Sequence, residues 1–267
     1  MLLWQTSQTI NFAQGEFVML PAFFVLAAMK FGGLSFAAAL LVGLLASLVV
    51  LGLLFKRLVV DPILRHGVLP LVISTLGLAI FFKEGVKEFY AAEAQGFPGV
   101  WPTTNLTIFG AVISAQSLVI IAVAVVAVGV LQWFLGGTRT GRQMQATAQN
   151  PMLARVLGIP VERMILYTFL VNAALVALAS FLVSPIYLAK FTNGELLGLA
   201  AFVAAIVGGF NQVRGAIVGG VLLGIADNLV AAYWSSQYRA AFPLFLLIAV
   251  ILWRPQGLLG RAEERTV

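Results

Sequence analysis

The sequence contains no cysteine and one histidine, His66. Disulfide scaffolds, thiolate metal sites and thiol catalysis are therefore unavailable, and a multi-histidine metal site is excluded. Charge is scarce too: 10% of the 267 residues are charged, against about 25% in an average soluble domain. Hydrophobic residues make up 61%, and the mean hydropathy is +1.02. A soluble globule of this size could bury a core, but so few charges could not cover its surface. An ordinary soluble enzyme, a disordered chain and a coiled coil are all excluded, leaving a polytopic α-helical membrane protein.

A helix of about 20 apolar residues crosses a bilayer. Spans are predicted near 34–55, 116–135, 163–183 and 215–233, with shorter candidates near 12–30, 68–82, 196–212 and 239–253. The expected fold class is all-α, with about seven or eight crossings, some of them short or discontinuous.

Sixteen Lys and Arg outnumber ten Asp and Glu, giving a net charge of +6 and a pI near 10.0. These basic residues sit in short loops between apolar runs. They read as orientation signals, with the lipid bilayer as partner and no nucleic acid. Segment 56–67 carries Lys56, Arg57 and Arg65 against Asp61, and 139–163 carries Arg139, Arg142, Arg155 and Arg163 against Glu162. The tail carries Arg254, Arg261 and Arg265 against Glu263 and Glu264. Segment 83–95 instead has Lys83 and Lys87 against Glu84, Glu88 and Glu93, and 184–195 has Lys190 and Glu195. Placing the first three segments and Arg214 inside, and the last two outside, satisfies the positive-inside rule. It also puts the C-terminus in the cytoplasm. Residues Met1 to Thr9 hold no complete span and no signal peptide.

Among the 26 glycines, Gly215 with Gly219 and Gly220 with Gly224 form small-xxx-small spacings. Such spacings let helix backbones approach closely, within one subunit or at a subunit interface.

The longest inside loop runs from Thr138 to Met164. Its pattern predicts a short helix over 140–149, with small residues Ala146 and Ala148 and a weak apolar face. A break follows, with Asn150 as N-cap and Pro151 at the first helical position. A second short helix over 151–157 then stops at Gly158, and Pro160 with Glu162 opens the next span. Such a pair either rests on lipid headgroups or docks into a protein groove.

This loop resembles the cytoplasmic coupling segment of ABC-transporter permeases, in the version found in branched-chain amino acid permeases. The residues carrying the resemblance are Gly141, Arg142, Ala146, Ala148, Gln149, Asn150, Pro151, Ala154, Arg155, Leu157, Gly158 and Ile159. The stretch Ile10-Asn11-Phe12-Ala13-Gln14-Gly15-Glu16 is similar to the family's Asn-Phe-Ala-His-Gly-Glu signature, with Gln14 where His often stands. Arg254 to Gly260 resembles its C-terminal end, and the resemblance runs through the chain in order, favouring the H-type subunit over its M-type sister. It implies one transmembrane permease domain over 1–267, lacking the family's first helix, with 138–163 as the coupling loop. It further implies a bacterial-type inner membrane, a sister permease in a heterodimer, two cytoplasmic ATPase subunits and a periplasmic substrate-binding protein. No GxxxxGK[ST] loop is present, so this chain is not expected to be an enzyme or to bind a cofactor. ATP is expected on the partner ATPases.

Polar residues at membrane depth need a reason. Asn11, Gln14, Gly15 and Glu16 precede one short apolar run, and Asn193, Gly194 and Glu195 precede another. The charge-based topology sets the first group at the cytoplasmic edge and the second at the opposite edge. The pattern is that of an inverted repeat with discontinuous helices, whose N-termini face substrate, or of two ordinary N-caps. Asp227 is a further pathway candidate or a satisfied structural acid. Asn172, Asn228, Ser74 and Thr75 read as interhelical hydrogen-bond partners, and His66 as solvent-exposed.

Three function classes follow. The leading one is a permease subunit of an ATP-driven importer for branched-chain or related amino acids. A secondary transporter or channel for small polar solutes would need a coupling-ion site, for which Asp227 is the deep candidate. An intramembrane enzyme would need a catalytic constellation at depth, and the sequence offers none.

Overall fold

Long apolar runs become helices because a helix satisfies every backbone polar group within its own segment. The computed structural model describes residues 11–90, 92–99, 105–108, 111–209, 212–235, 238 and 241–260. Met1 to Ile10, Phe210, Asn211 and the tail from Arg261 lie outside the described residues, and with them the N-terminal reading and the tail charges. The described residues cluster into two compact units, one reaching to Gly194 and one beginning at Glu195.

The first unit starts with α1 (Gln14–Gly32) and α2 (Phe36–Ser47), which continues through a π-helical stretch, π1 (Leu48–Val60), into α3 (Asp61–Leu64). Then come α4 (Val68–Phe89), a hairpin of β1 (Asn105–Ile108) and β2 (Ala111–Ser114), and α5 (Ala115–Gly137). The hairpin is antiparallel, pairing Asn105 with Ser114 and Ile108 with Ala111. The short helices α6 (Arg139–Gln149) and α7 (Pro151–Val156) lead to α8 (Val161–Tyr187). Helix α9 (Asn193–Gly208) leads into the second unit, with α10 (Val213–Tyr233) and α11 (Phe242–Trp253). Six described helices are long and apolar enough to cross a membrane, and α9 and α11 are shorter apolar helices. The fold is an all-α polytopic membrane protein. Exposed Trp133, Tyr233, Trp234 and Trp253 near helix ends suit the membrane interfaces.

Two predicted loops prove helical. The segment Phe36–Leu64 is one continuous 29-residue span, so Lys56 and Arg57 belong to it. Lys56 is buried because both oxygens of Asp61 accept from its Nζ, at 2.9 and 2.8 Å. Likewise Lys83, Glu84, Lys87 and Glu88 lie on the last turns of α4, where Lys87 pairs with Glu84 at 2.9 Å.

Helix directions in the first unit follow from paired contacts. Gln14 meets Asn172, and Ser180 Oγ accepts from the Ala22 N–H, so α1 and α8 run parallel. Phe17 meets Phe82 and Phe23 meets Tyr90, so α4 runs parallel to them as well. Helix α2 returns antiparallel, its Gly43 against Val25. The basic segments 56–67 and 139–163 therefore lie at one end of this unit. Segments 83–95 and 184–190 lie at the other, joined by backbone bonds of 2.9 Å in each direction between Gln95 and Ala189. The charge pattern predicts this grouping for 56–67, 139–163, 83–95 and Lys190, though it carries its last segment on to Glu195. Inside α1, Pro21 interrupts the backbone ladder, and the Ser180 hydroxyl takes up the neighbouring Ala22 N–H at 3.1 Å.

In the second unit α9 and α10 touch backbone to backbone. A Cβ on Gly219 would fall onto the Ala204 carbonyl and 2.7 Å from the Gly208 nitrogen. One on Gly215 would lie 2.5 Å from the Gly208 oxygen. Gly220 and Gly224 face open space, so the second small-residue spacing packs nothing within this unit, which leaves the subunit-interface alternative for it. It lies a turn-fraction away from the buried stripe. Val203, Ala204, Val207 and Leu223 form the core, covered by Leu246, Leu247 and Val250. The C-terminal motif folds back on the end of α9. Leu258 and Leu259 donate to the carbonyls of Val207 and Gly208, two acceptors a helix end leaves unsatisfied. Gly257 makes this possible with φ of 77° and no side chain to strike Ile206 or Gly209.

Candidate functional site

Two regions bring chemistry-bearing residues together. The first is the N-terminal turn of α1. Asn11 Oδ1 accepts from the Ala13 N–H at 3.0 Å, turning the chain into the helix, and the Phe12 N–H donates to Thr75 Oγ1. Gln14 and Asn172 form a reciprocal amide pair, at 3.2 Å from Gln14 Nε2 and 3.3 Å from Asn172 Nδ2. Asn11 Nδ2 adds a third amide, donating to Gln14 Oε1 at 3.4 Å. Asn172 lies about 16 Å along α8, and Thr75 about 10 Å along α4, at about 1.5 Å per residue. Helix α1 therefore starts about two to three turns in from the first residues of α8 and α4.

Glu16 is 4% exposed. Its carboxylate packs against the Cα of Gly194, the second residue of α9. A Cβ there would fall 2.7 Å from Oε1 and closer still to Oε2. Asn193 Nδ2 donates to the Leu188 carbonyl at 2.6 Å, steadying the one non-glycine residue with positive φ among those described, Leu188 at 62°. Glu16 and Gly194, one from each run, are thus neighbours within the first unit, which corrects the expectation of opposite edges. The two runs could not be related from sequence, because the link is a side-chain contact across about 180 residues of chain. Gly15 is half-buried on α1, Glu195 is exposed, and Asp227 is half-buried on α10.

The second region is 138–163. Thr138 caps α6: its Oγ1 accepts from the Gly141 N–H at 2.9 Å and donates to the Phe134 carbonyl at 2.7 Å. Gly141, Met144 and Thr147 form one buried face of α6, a clearer face than the sequence suggests because glycine and threonine contribute to it. Asn150 caps α7, its Oδ1 accepting from Leu153 N–H at 2.9 Å, with Pro151 in the first turn as expected. Helix α7 ends as predicted. Gly158 has φ of 77°, and Gly158 and Ile159 donate back to the carbonyls of Arg155 and Ala154. Arg155 reaches Glu162 at 3.0 Å, an exposed pair of small energetic weight.

Of the predicted residues in this loop, Arg142, Asn150, Pro151, Arg155 and Gly158 are exposed, Ala146 is half-buried, and Gly141 and Ala154 are buried. Gly141 and Ala154 therefore serve the loop's own packing. Sequence reasoning passes over the free surface of α7: Met152 and Val156 are each 79% exposed, with Leu153 and Leu157 beside them. Their apolar character in a polar loop is the signal that marks them. Asn172 and Thr75, read as helix-bonding residues, do bond helices, and also join the α1 cluster. Among the described residues no group of acidic and histidine side chains could hold a metal ion.

The Thr147 hydroxyl is fully buried and has no hydrogen-bond partner. Thr147→Val is expected to stabilise the protein by about 1 kcal/mol, since it removes a buried unsatisfied group without changing shape. The check is a higher midpoint of thermal unfolding in detergent.

The chain matches the family described as branched-chain amino acid transport system / permease component over residues 1–251. It is 33% identical over 270 residues to the high-affinity branched-chain amino acid transport system permease protein LivH of Escherichia coli K12, covering 97% of this chain and 88% of that one. It is 32% identical, with the same coverage, to BraD of Pseudomonas aeruginosa, which carries the same description. It is 27% identical over 276 residues to the probable branched-chain amino acid transport permease protein LivH of Methanocaldococcus jannaschii, covering 97% of this chain and 85% of that one. No solved structure matches the chain. Membrane-spanning helices, a capped helix pair at the basic end and this similarity agree, and the chain belongs to the family of branched-chain amino acid transport system permease components.

Proposed function

We propose that this chain is a membrane subunit of an ATP-driven importer for branched-chain or related amino acids. With a sister permease it forms the translocation pathway. ATP is bound and hydrolysed on two separate cytoplasmic ATPase subunits, and a binding protein delivers substrate from the opposite side. The relatives' descriptions support the substrate class. The positive-inside rule puts the end bearing Arg139, Arg142, Arg155 and Arg163, and the C-terminus, in the cytoplasm of a bacterial-type inner membrane. The pathway candidates are Asn11, Gln14, Gly15, Glu16, Asn193, Gly194, Glu195 and Asp227, weakly polar dipoles and few charges. An aliphatic zwitterion needs dipoles for its ends and apolar walls for its stem, while strong charges would trap it.

The observation that carries this reading is α7. Its inner residue, Ala154, is buried against the protein, and its outer face presents Met152 and Val156 to whatever lies below. A helix that is anchored on one side and apolar on the other suits an ATPase groove. Movement of that groove on ATP binding would push α6 and α7 and switch the pathway between its two openings.

The test is Val156→Glu, assembled with its partner subunits. The variant is expected to insert and fold, because the side chain is outside the packing. ATPase affinity is expected to fall about 30-fold, the effect of losing an interface anchor worth about 2 kcal/mol. Stoichiometric ATPase co-purifying with Val156→Glu, and equally with Met152→Glu, would refute the docking role.

A further inference from the structure

We infer that the amide triad of Asn11, Gln14 and Asn172 is the carboxylate subsite of the pathway, holding the α-carboxylate of an amino acid in transit. The inference rests on the importer reading above. It comes from counting hydrogen-bond capacity. Gln14 Oε1 accepts from the amide nitrogens of both Asn11 and Asn172, which fills its two lone pairs. Gln14 Nε2 donates once, to Asn172 Oδ1. Asn11 Oδ1 is engaged by the Ala13 N–H. Among the described residues each amide nitrogen has used one of its two protons, so the triad holds out three N–H donors against two open lone pairs, one on Asn172 Oδ1 and one on Asn11 Oδ1.

A clasp between two helices needs the Gln14–Asn172 pair alone; the third amide exceeds that need. All three side chains are half-buried, within reach and partly shielded from water. Glu16 in the first turn of α1 already answers the positive end of the helix dipole, so the donors of the subsite are the amides themselves. The Glu16 carboxylate does not occupy these donors, and its charge weakens the hold on an anion beside it without blocking it. Two residues are about 200° round a helix, and the Glu16 carboxylate is turned to Gly194. Phe12, 44% exposed beside Asn11, offers an apolar surface to an aliphatic stem. Neutral donors hold a carboxylate without the tenacity of an arginine, which suits a site that must release its ligand.

The test ranks two variants of Asn172 in the complete transporter reconstituted in liposomes, by uptake of radiolabelled leucine at pH 8. Asn172→Asp keeps an acceptor for Gln14 Nε2 but sets a negative charge against the substrate. Asn172→Ser loses the reciprocal pair and adds no charge. A subsite predicts uptake about 100-fold below wild type for Asp and within about 10-fold for Ser, since like charges in contact are strongly unfavourable. A clasp instead lowers the unfolding midpoint and ATPase retention of both variants, because Asp too loses the Nδ2 donor and buries a charge, with uptake falling in step. Asp transporting as well as Ser, with ATPase retention and basal hydrolysis normal in both, would overturn the subsite while leaving the importer reading intact. If Asn172→Asp fails to assemble, Asn11→Asp against Asn11→Ser decides in the same way, because Asp keeps the acceptor for Ala13 N–H. A wild-type complex that binds its ATPases but takes up no branched-chain amino acid would overturn both readings.

Discussion

Gly141→Ala is expected to dismantle the turn between α5 and α6. The added Cβ would sit 2.6 Å from the Leu135 Cα and 2.8 Å from its carbonyl oxygen, and closer still to the Phe134 oxygen. None of these atoms can step aside. The Phe134 carbonyl is held by the Thr138 hydroxyl at 2.7 Å, and the same hydroxyl holds the Gly141 N–H at 2.9 Å. Flexible side chains absorb overpacking, but backbone does not, so the cost is set at the upper end of the usual range, about 3 kcal/mol or more. Helix α6 would lift from its seat, exposing Met144 and Thr147 and moving α7 with it. Limited proteolysis would then cut within 138–158 at least ten times faster than in wild type, on the order of the shift in local opening that such a cost implies. Unchanged proteolysis and unchanged ATPase retention would show that the turn has slack.

Gly219→Ala is the second large effect. Here the Cβ would land on the Ala204 carbonyl, 2.7 Å from the Gly208 nitrogen and 2.9 Å from the Gly208 Cα. Helix α10 would be forced off α9, opening the core of Val203, Val207 and Leu223. The expected loss is about 2–3 kcal/mol, read as a lower unfolding midpoint in detergent. Gly220→Ala is the internal control. It meets nothing and exchanges glycine for a better helix former, so it should be neutral or stabilising by up to about 1 kcal/mol. Equal effects at the two positions would contradict the α9–α10 contact.

Much of this protein is legible in its sequence, for reasons visible in particular residues. The loop at 138–163 is read almost residue by residue, because Asn150, Pro151 and Gly158 act on the backbone within one turn of themselves. The grouping of charged segments at two ends follows from a charge's aversion to hydrocarbon, which is also local. Errors begin where a residue's state depends on a distant partner. Lys56 reads as a loop residue until Asp61 is seen to neutralise it within a helix. Ala154 reads as one residue of the coupling-loop pattern until its burial appears and the free face proves to be Met152 and Val156. Gly215 and Gly220 carry the same motif, yet one meets a backbone and the other open space. Periodicity shows that a small stripe exists and not which stripe is covered.

The sequence by itself determined the class: scarce charge and long apolar runs demand a membrane, and basic loops order the crossings, since the bilayer acts on each segment separately. Only the tertiary structure decided that α1 begins beside the middle of α8, that Gln14 pairs with Asn172 and that Glu16 rests on Gly194. These are matches of shape and hydrogen-bond capacity between residues far apart in the chain, and they come into being only when the helices pack.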